Sequence, residues 1–189
     1  MNTVKKIILG ILYWIVQLTW GSLMTVVGLL VTGFCIIFLK GTPHRNGFSY
    51  IVEIGGNWGG LELGAVALCG RYNTKGHKAY SPNWFQETRR HEFGHTLQNL
   101  IFGPFTLFVV GLPSAIRYHY KRIAQKRGKR FPSDWYDSIW FEGTATRWGT
   151  KAIRWIESVE VKPESKPIVI PQKPVVNTPT YDSSMDSTN

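Results

Sequence analysis

Hydrophobic and polar positions alternate on three different scales along this chain. From Ile7 to Leu39 no residue is charged, with Lys5 and Lys6 before the run and Lys40 after it. A bilayer-spanning helix needs about 20 apolar residues, so the run has membrane length. As one straight helix it would reach about 50 Å, past the roughly 30 Å hydrocarbon core. The spacing therefore predicts either a tilted helix with a protruding end or a hairpin bent near Gln17–Ser22. That cluster (Gln17, Thr19, Trp20, Gly21, Ser22) is the most polar part of the run and is expected at a membrane interface. The run is too long for a signal peptide, and no small-x-small cleavage site follows a short apolar core.

Between Gly47 and Gly70 the period shortens. Tyr50–Ile54 predicts a strand, residues 55–60 a Gly-rich turn, and Leu61–Cys69 a second strand joined to the first as a hairpin. Arg71–Pro82 is polar and predicts a loop. Asn83–Phe102 predicts a helix with Ser81 as N-cap and Pro82 at its first position, ended by Gly103-Pro104. Phe105–Ile116 is uncharged but broken by Gly111 and Pro113; it is too short to span a bilayer and reads as re-entrant, interfacial or a pocket wall. Ser133-Asp134 predict the cap of a last helix from Trp135 to about Glu157. Beyond Val161 the chain turns to Pro, Ser, Thr and Asp, which predicts a disordered tail. The organisation expected is a membrane segment over residues 1–46, a core over 47–160 and a tail over 161–189. The expected class is α+β: a membrane helix or helical hairpin, a small sheet, and two helices that matter for chemistry.

Length and composition fit one domain plus appendages: 189 residues, 18% charged and 14% aromatic. Cys35 and Cys69 cannot staple a disulfide fold, and no CxxC pair exists for a cysteine zinc knuckle. The formal charge is +10, and the tail from Val161 onward is neutral. Seven positive charges fall within Arg117–Arg130, interleaved with Tyr118 and Tyr120. Beside a membrane-length run, anionic lipid headgroups explain this segment more simply than nucleic acid, and no nucleic-acid partner is expected. The charge bias of Lys5, Lys6 and this segment puts both on the cytoplasmic side of a bacterial-type inner membrane.

The chemistry concentrates in His91-Glu92-Phe93-Gly94-His95. On a helix, residues four apart share a face, so both imidazoles can hold one Zn²⁺ at about 2.0–2.1 Å. The metal makes a water acidic enough to give hydroxide near neutral pH, and Glu92 can take its proton. Gly94 costs about 1 kcal/mol in a helix, which is reasonable where another backbone approaches closely. A catalytic zinc needs a third protein ligand. Gln98, Asn99 and Phe102 rule out the HExxHxxGxxH arrangement. His77, His119 and Glu142 stay open. Glu142 lies among aromatic and small residues on the later helix, and a carboxylate there would complete a His₂Glu set. Tyr118, His119, Tyr120 and Tyr136 are candidate donors to a developing oxyanion, and Leu61–Cys69 a candidate strand for pairing with an extended peptide.

HEFGH followed by a later helical glutamate resembles the gluzincins, the thermolysin-like branch of zinc metallopeptidases. A closer resemblance is to bacterial membrane-associated proteins carrying HEYGH, then GPLYL, GxPS and FYTExxAD. The corresponding residues here are His91–His95, Gly103-Pro104-Phe105, Gly111-Leu112-Pro113-Ser114 and Phe141-Glu142. The resemblance covers roughly Leu61–Gly149. It implies a gluzincin-like zincin core, one Zn²⁺ per chain held by His91, His95 and Glu142, Glu92 as catalytic base, and a peptide or protein substrate. Where the family has Asp four residues after the glutamate, this chain has Thr146. Since that Asp orients a ligand histidine, the alternative expectation is a catalytically inactive relative that serves as a membrane-bound scaffold. A third is a basic membrane protein whose HExxH is accidental.

Overall fold

The computed structural model describes residues 3–56, 58–70, 84–132 and 134–157. His77, the Ser81–Pro82 cap, Ser133 and the tail from residue 158 lie outside them. Within these bounds the fold is α+β, and the described residues belong to one unit.

The uncharged N-terminal run forms two helices, α1 (Thr3–Thr19) and α2 (Ser22–Phe38), set at 98° to each other. Each is about 25 Å long at 1.5 Å per residue. Among the described residues no single helix is long and apolar enough to cross a membrane. The bend falls where the polar cluster predicted it, and Gln17 there turns into the protein. It is fully buried. Its Nε2 donates to the Thr96 carbonyl (2.9 Å), and its Oε1 accepts from Thr25 Oγ1 (3.1 Å) and Asn99 Nδ2 (2.6 Å). A buried amide is stable only when paired in this way, and the pairing fixes the bend against the rest of the protein.

The patterning of α2 is inverted relative to a water-soluble helix. Its buried stripe is Met24, Thr25, Gly28, Thr32 and Cys35, mostly small or polar. Leu23, Leu30, Phe34, Ile37 and Phe38 point outward and are exposed. Close approach explains the small residues: a β-carbon at Gly28 would lie 2.1 Å from the Leu63 carbonyl oxygen.

Four strands follow: β1 (Thr42–Asn46), β2 (Ser49–Ile54), β3 (Gly60–Leu63) and β4 (Val66–Gly70), in the order β1-β2-β4-β3. The expected boundary at residue 46 runs between β1 and β2, which pair antiparallel across it. The expected single strand Leu61–Cys69 is instead two strands. Gly64, at φ +74°, turns the chain between them. β4 then lies parallel to β2 rather than forming a hairpin with it. Burial accounts for this order. Every residue of β4 is buried, as a central strand's must be, while half-exposed β3 takes the edge.

Helix α3 (Trp84–Phe102) carries the HExxH motif. A 3₁₀ turn (Gly103–Phe105) and a π-helix (Leu107–Gly111) redirect the chain by 117° into α4 (Leu112–Lys126). The basic segment is thus largely helical. The last helix, α5 (Trp140–Glu157), begins five residues later than expected. Arg117 is the reason. Its guanidinium lies 3.7 Å over the Trp135 ring and donates to the carbonyls of Trp135 and Tyr136. Those carbonyls are taken from the helix that Trp135 was expected to start.

The closest packing is between α3 and α5. A β-carbon at Gly94 would come within 1.9 Å of the Ala145 carbonyl oxygen, and one at Gly149 within 1.7 Å of the Arg90 carbonyl oxygen. Below this crossing, Phe93, Ile153 and Ile156 pack with Tyr13 of α1 and Ala65 in one apolar cluster. The glycines set the helix separation, and the cluster holds it.

Candidate metal centre

The α3–α5 crossing brings Glu142 under the two histidines. Its Oε2 lies 3.1 Å from His91 Nε2 and 3.3 Å from His95 Nε2, and the two imidazole nitrogens are 3.1 Å apart. Ligands of a four-coordinate ion bound at about 2.0–2.1 Å are separated by about 3.3 Å. The triangle therefore already has the dimensions of one face of such a site. Among the described residues this is the group of His, Cys, Asp and Glu side chains whose donor atoms converge.

Hydrogen bonding decides what the three atoms can do. Gln98 Nε2 donates to the Phe141 carbonyl (2.7 Å) and to Thr144 Oγ1 (2.8 Å), so its Oε1 is an acceptor. That oxygen is 2.8 Å from His95 Nδ1, which must carry the proton. On the other histidine, Thr146 Oγ1 donates to Asp137 Oδ2 (3.3 Å) and accepts from His91 Nδ1 (2.8 Å). Both Nε2 atoms are left with lone pairs, pointing at a carboxylate. Glu142 is fully buried, and neither of its oxygens has a hydrogen-bond partner. Three acceptors converging without a donor is an arrangement that a divalent cation satisfies. Burial alone would raise the Glu142 pKa. Without a metal, only an imidazole that takes up a proton on Nε2 offsets this and holds the carboxyl below the usual range; a bound cation would take over that role.

The Thr146 departure thus takes a different form from the one expected. A carboxylate is present after all, one hydrogen bond further out: His91 leads to Thr146 and Thr146 to Asp137. Sequence reasoning missed Asp137, because nine residues before Thr146 and outside a helix it has no periodic relation to the site.

Glu92 sits beside the ligands, 4% exposed. A β-carbon at Gly60 of β3 would lie 2.1 Å from its Oε1, so the edge strand presses directly on this carboxyl. Burial, opposed by His95 and aided by Glu142, raises Glu92 to about 7. A second carboxyl, Glu62 on β3, was not foreseen. Its Oε1 is buried and unpaired, and burial together with Glu92 pushes its pKa well above the ordinary value. The signal available was a lone acid between Leu61 and Leu63 on a strand.

The centre opens into a cleft. One cavity of about 320 Å³ runs from Leu61 and Val110 past His91, Glu92 and His95. A second of about 790 Å³ shares Gly60, His91, Glu92 and Tyr136 with it and extends to Glu87, Lys121 and Gln125. Of the four proposed oxyanion donors, Tyr118, His119 and Tyr136 line the first cavity. Tyr120 packs instead on Phe131 and Trp135. His119 is not among the converging donor atoms, so of the two alternative third ligands one is displaced by Glu142 and the other, His77, lies outside the described residues. Tyr136 is held most firmly. Arg117 binds its carbonyl (3.3 Å), Ser114 Oγ is 3.1 Å from its hydroxyl, and burial, then Glu142, raises its pKa, keeping the phenol protonated. Arg122 also lines both cavities. No protein-family model, curated protein or solved structure matches the chain.

Proposed function

We propose that the protein is a membrane-associated, zinc-dependent peptidase of gluzincin type. The observation that carries this reading is the convergence of His91, His95 and Glu142 as three acceptors, with the Glu92 carboxyl alongside. His91, His95 and Glu142 would hold Zn²⁺, which when bound would supply a Lewis acid that makes water a usable nucleophile near neutral pH. Glu92, buried beside these ligands, would be the group to accept a proton from water as that water's oxygen joins the peptide carbonyl carbon. When the C–N bond breaks, Glu92 returns the proton to the leaving amine, and a carboxylate and an amine result. The protonated Tyr136 hydroxyl is the best-positioned donor to the oxygen that gains charge, with His119 behind it. Among the described residues the outer edge of β3 has no strand neighbour, and it offers an extended peptide its backbone groups. The Asp137–Thr146–His91 chain supports the metal-binding part of this reading, because it fixes the tautomer and orientation of the ligand histidine.

Membrane association rests on the outward apolar faces of α1 and α2, flanked by Lys5, Lys6 and Lys40. Lys121, Lys126, Arg127, Lys129 and Arg130 are available to anionic headgroups; Arg117 serves the Trp135–Ser138 turn instead. By charge bias, both features support the reading that the site lies on the cytoplasmic face. The test is detergent-solubilised protein assayed for zinc and for hydrolysis of a mixed peptide pool. The expected result is one zinc per chain, with hydrolysis abolished in Glu92→Gln while zinc stays bound. Zinc without hydrolysis in the unaltered protein would favour the scaffold reading, and no zinc would reject both.

A further inference from the structure

The inversion seen in α2 recurs beside the metal centre. Residues 101–116 are uncharged. Phe105, Leu107, Phe108, Leu112 and Ile116 face outward, with Phe108 65% exposed. Thr106, Val110 and Ser114 face inward, and Val110 and Ser114 line the cavity that holds His91, Glu92 and His95. One segment is thus both the wall of the cleft and an exposed apolar surface. A soluble fold would bury the phenylalanines and expose the threonine and serine. Large apolar residues outward with small ones inward is the pattern of helices packed in lipid.

This surface continues that of the N-terminal helices. Trp20, at the α1–α2 bend, donates from Nε1 to the Ile101 carbonyl (3.2 Å). Gly103 closes on the same ring: a β-carbon there would lie 2.5 Å from it. Charge then changes abruptly. Positive residues begin at Arg117, and the cleft's far end is lined by Lys121 and Arg122. Along its length the cleft runs from an apolar end at Leu61 and Val110, past the metal ligands, to a charged end where Lys121 shares the lining with Glu87 and Asp137, Arg122 being common to both cavities. An apolar surface rimmed by cations complements an anionic bilayer.

We infer that the 101–116 segment inserts into the bilayer beside the α1–α2 bend, so that the cleft opens at the lipid boundary and takes the juxtamembrane segment of a membrane-anchored protein as its substrate. The substrate half of this inference rests on the peptidase reading; the insertion half does not. A chain leaving the membrane would enter at the apolar end and cross the metal centre toward Lys121 and Arg122.

Two measurements test it. Nitroxide labels are placed at Phe108→Cys, at Leu30→Cys on the outer face of α2 and at Lys129→Cys, in full-length protein in phosphatidylglycerol-containing vesicles. The native Cys35 and Cys69 are buried. Relative accessibility to oxygen and to a water-soluble nickel chelate should place position 108 in lipid with position 30, and 129 in water. Position 108 reading as water while 30 reads as lipid would overturn the insertion, as would spin–spin coupling at 108 between two copies. Position 30 reading as water would reject the membrane reading as a whole. In the second measurement, a degenerate quenched-fluorescent decapeptide library is offered free and fused to an alanine–leucine transmembrane span. The anchored library should be cleaved on the order of tenfold faster, through its higher local concentration. Phe108→Asp should bring the ratio near one. Equal rates in the unaltered protein would overturn the substrate class, and no cleavage of either library would overturn the peptidase reading, leaving the labels to decide insertion.

Discussion

Gly94 of α3 faces the carbonyl of Ala145 on α5 so closely that no β-carbon fits between them. The two helices can therefore touch backbone to backbone, and Glu142, three residues before Ala145, arrives beneath the imidazoles on either side of Gly94. Gly94→Ala should push the helices apart, destabilise the protein by about 1–3 kcal/mol as overpacking does, and weaken metal binding as well. Denaturant unfolding of the metal-free variant, set beside a chelator-competition titration of the folded one, separates the two effects. Unchanged metal affinity would show that the crossing does not set the site.

The His91–Thr146–Asp137 chain predicts a graded series. Thr146→Val removes the acceptor of the His91 ring proton and should lower zinc affinity by about 10–100-fold. Asp137→Asn should cost less, since the threonine oxygen remains. Thr146→Asp brings a carboxylate directly to the imidazole and should preserve affinity. Competition with a fluorescent chelator reads all three, and a Thr146→Val affinity equal to the parent's would remove the chain from the account.

Tyr136 and Tyr120 make a matched pair. Tyr136→Phe removes a hydroxyl that lines the cleft and should lower kcat by about 10²-fold, the range seen when one oxyanion donor is lost. Tyr120→Phe, in the cluster with Phe131 and Trp135, should leave kcat within about twofold. Steady-state kinetics on a cleaved peptide distinguishes them, and equal effects would argue against the donor role.

Glu62 predicts a pH dependence of stability in the metal-free protein. Its folded pKa is raised above the unfolded value, so the folded state holds a proton the unfolded state has released. Stability is then highest below the unfolded value of about 4.5 and falls as pH rises toward the folded one. Glu92, raised to about 7, contributes with the same sign, whereas Glu142 has the opposite one and weakens the fold only in acid. Thermal unfolding followed from about pH 5 to 8 should show a declining midpoint, with a shallower decline in Glu62→Gln. A slope unaltered by that substitution would contradict the burial of an uncompensated carboxyl.

What the sequence made legible was local. HExxH, its helix and the glycine between the histidines follow from period and spacing, and the acid at 142 stood out against its aromatic and small neighbours. The bend of the N-terminal run was also readable, because polar residues interrupt an apolar helix at a cost. The remainder depends on contacts between distant segments. The parallel β2–β4 pairing competes with a shorter hairpin that looks equally good locally. Trp135–Ile139 has helical composition, and contacts from elsewhere in the chain, Arg117 foremost, hold it in a turn outside α5. Gln17 reads as an interface residue until Thr96 and Asn99 arrive to pair with it. Its spacing of four from Tyr13 and Gly21, continued by Thr25 and Gly28, was a usable sign of a protein-facing stripe.

The central claim is that one divalent ion is held by two imidazoles and the carboxylate of Glu142. Zinc bound per chain, measured by elemental analysis after dialysis against a weak chelator, tests it most directly across Glu142→Ala, His91→Ala and His119→Ala. The account predicts one zinc in the parent and in His119→Ala, and little or none in the other two. Full zinc in Glu142→Ala, or loss in His119→Ala alone, would contradict it.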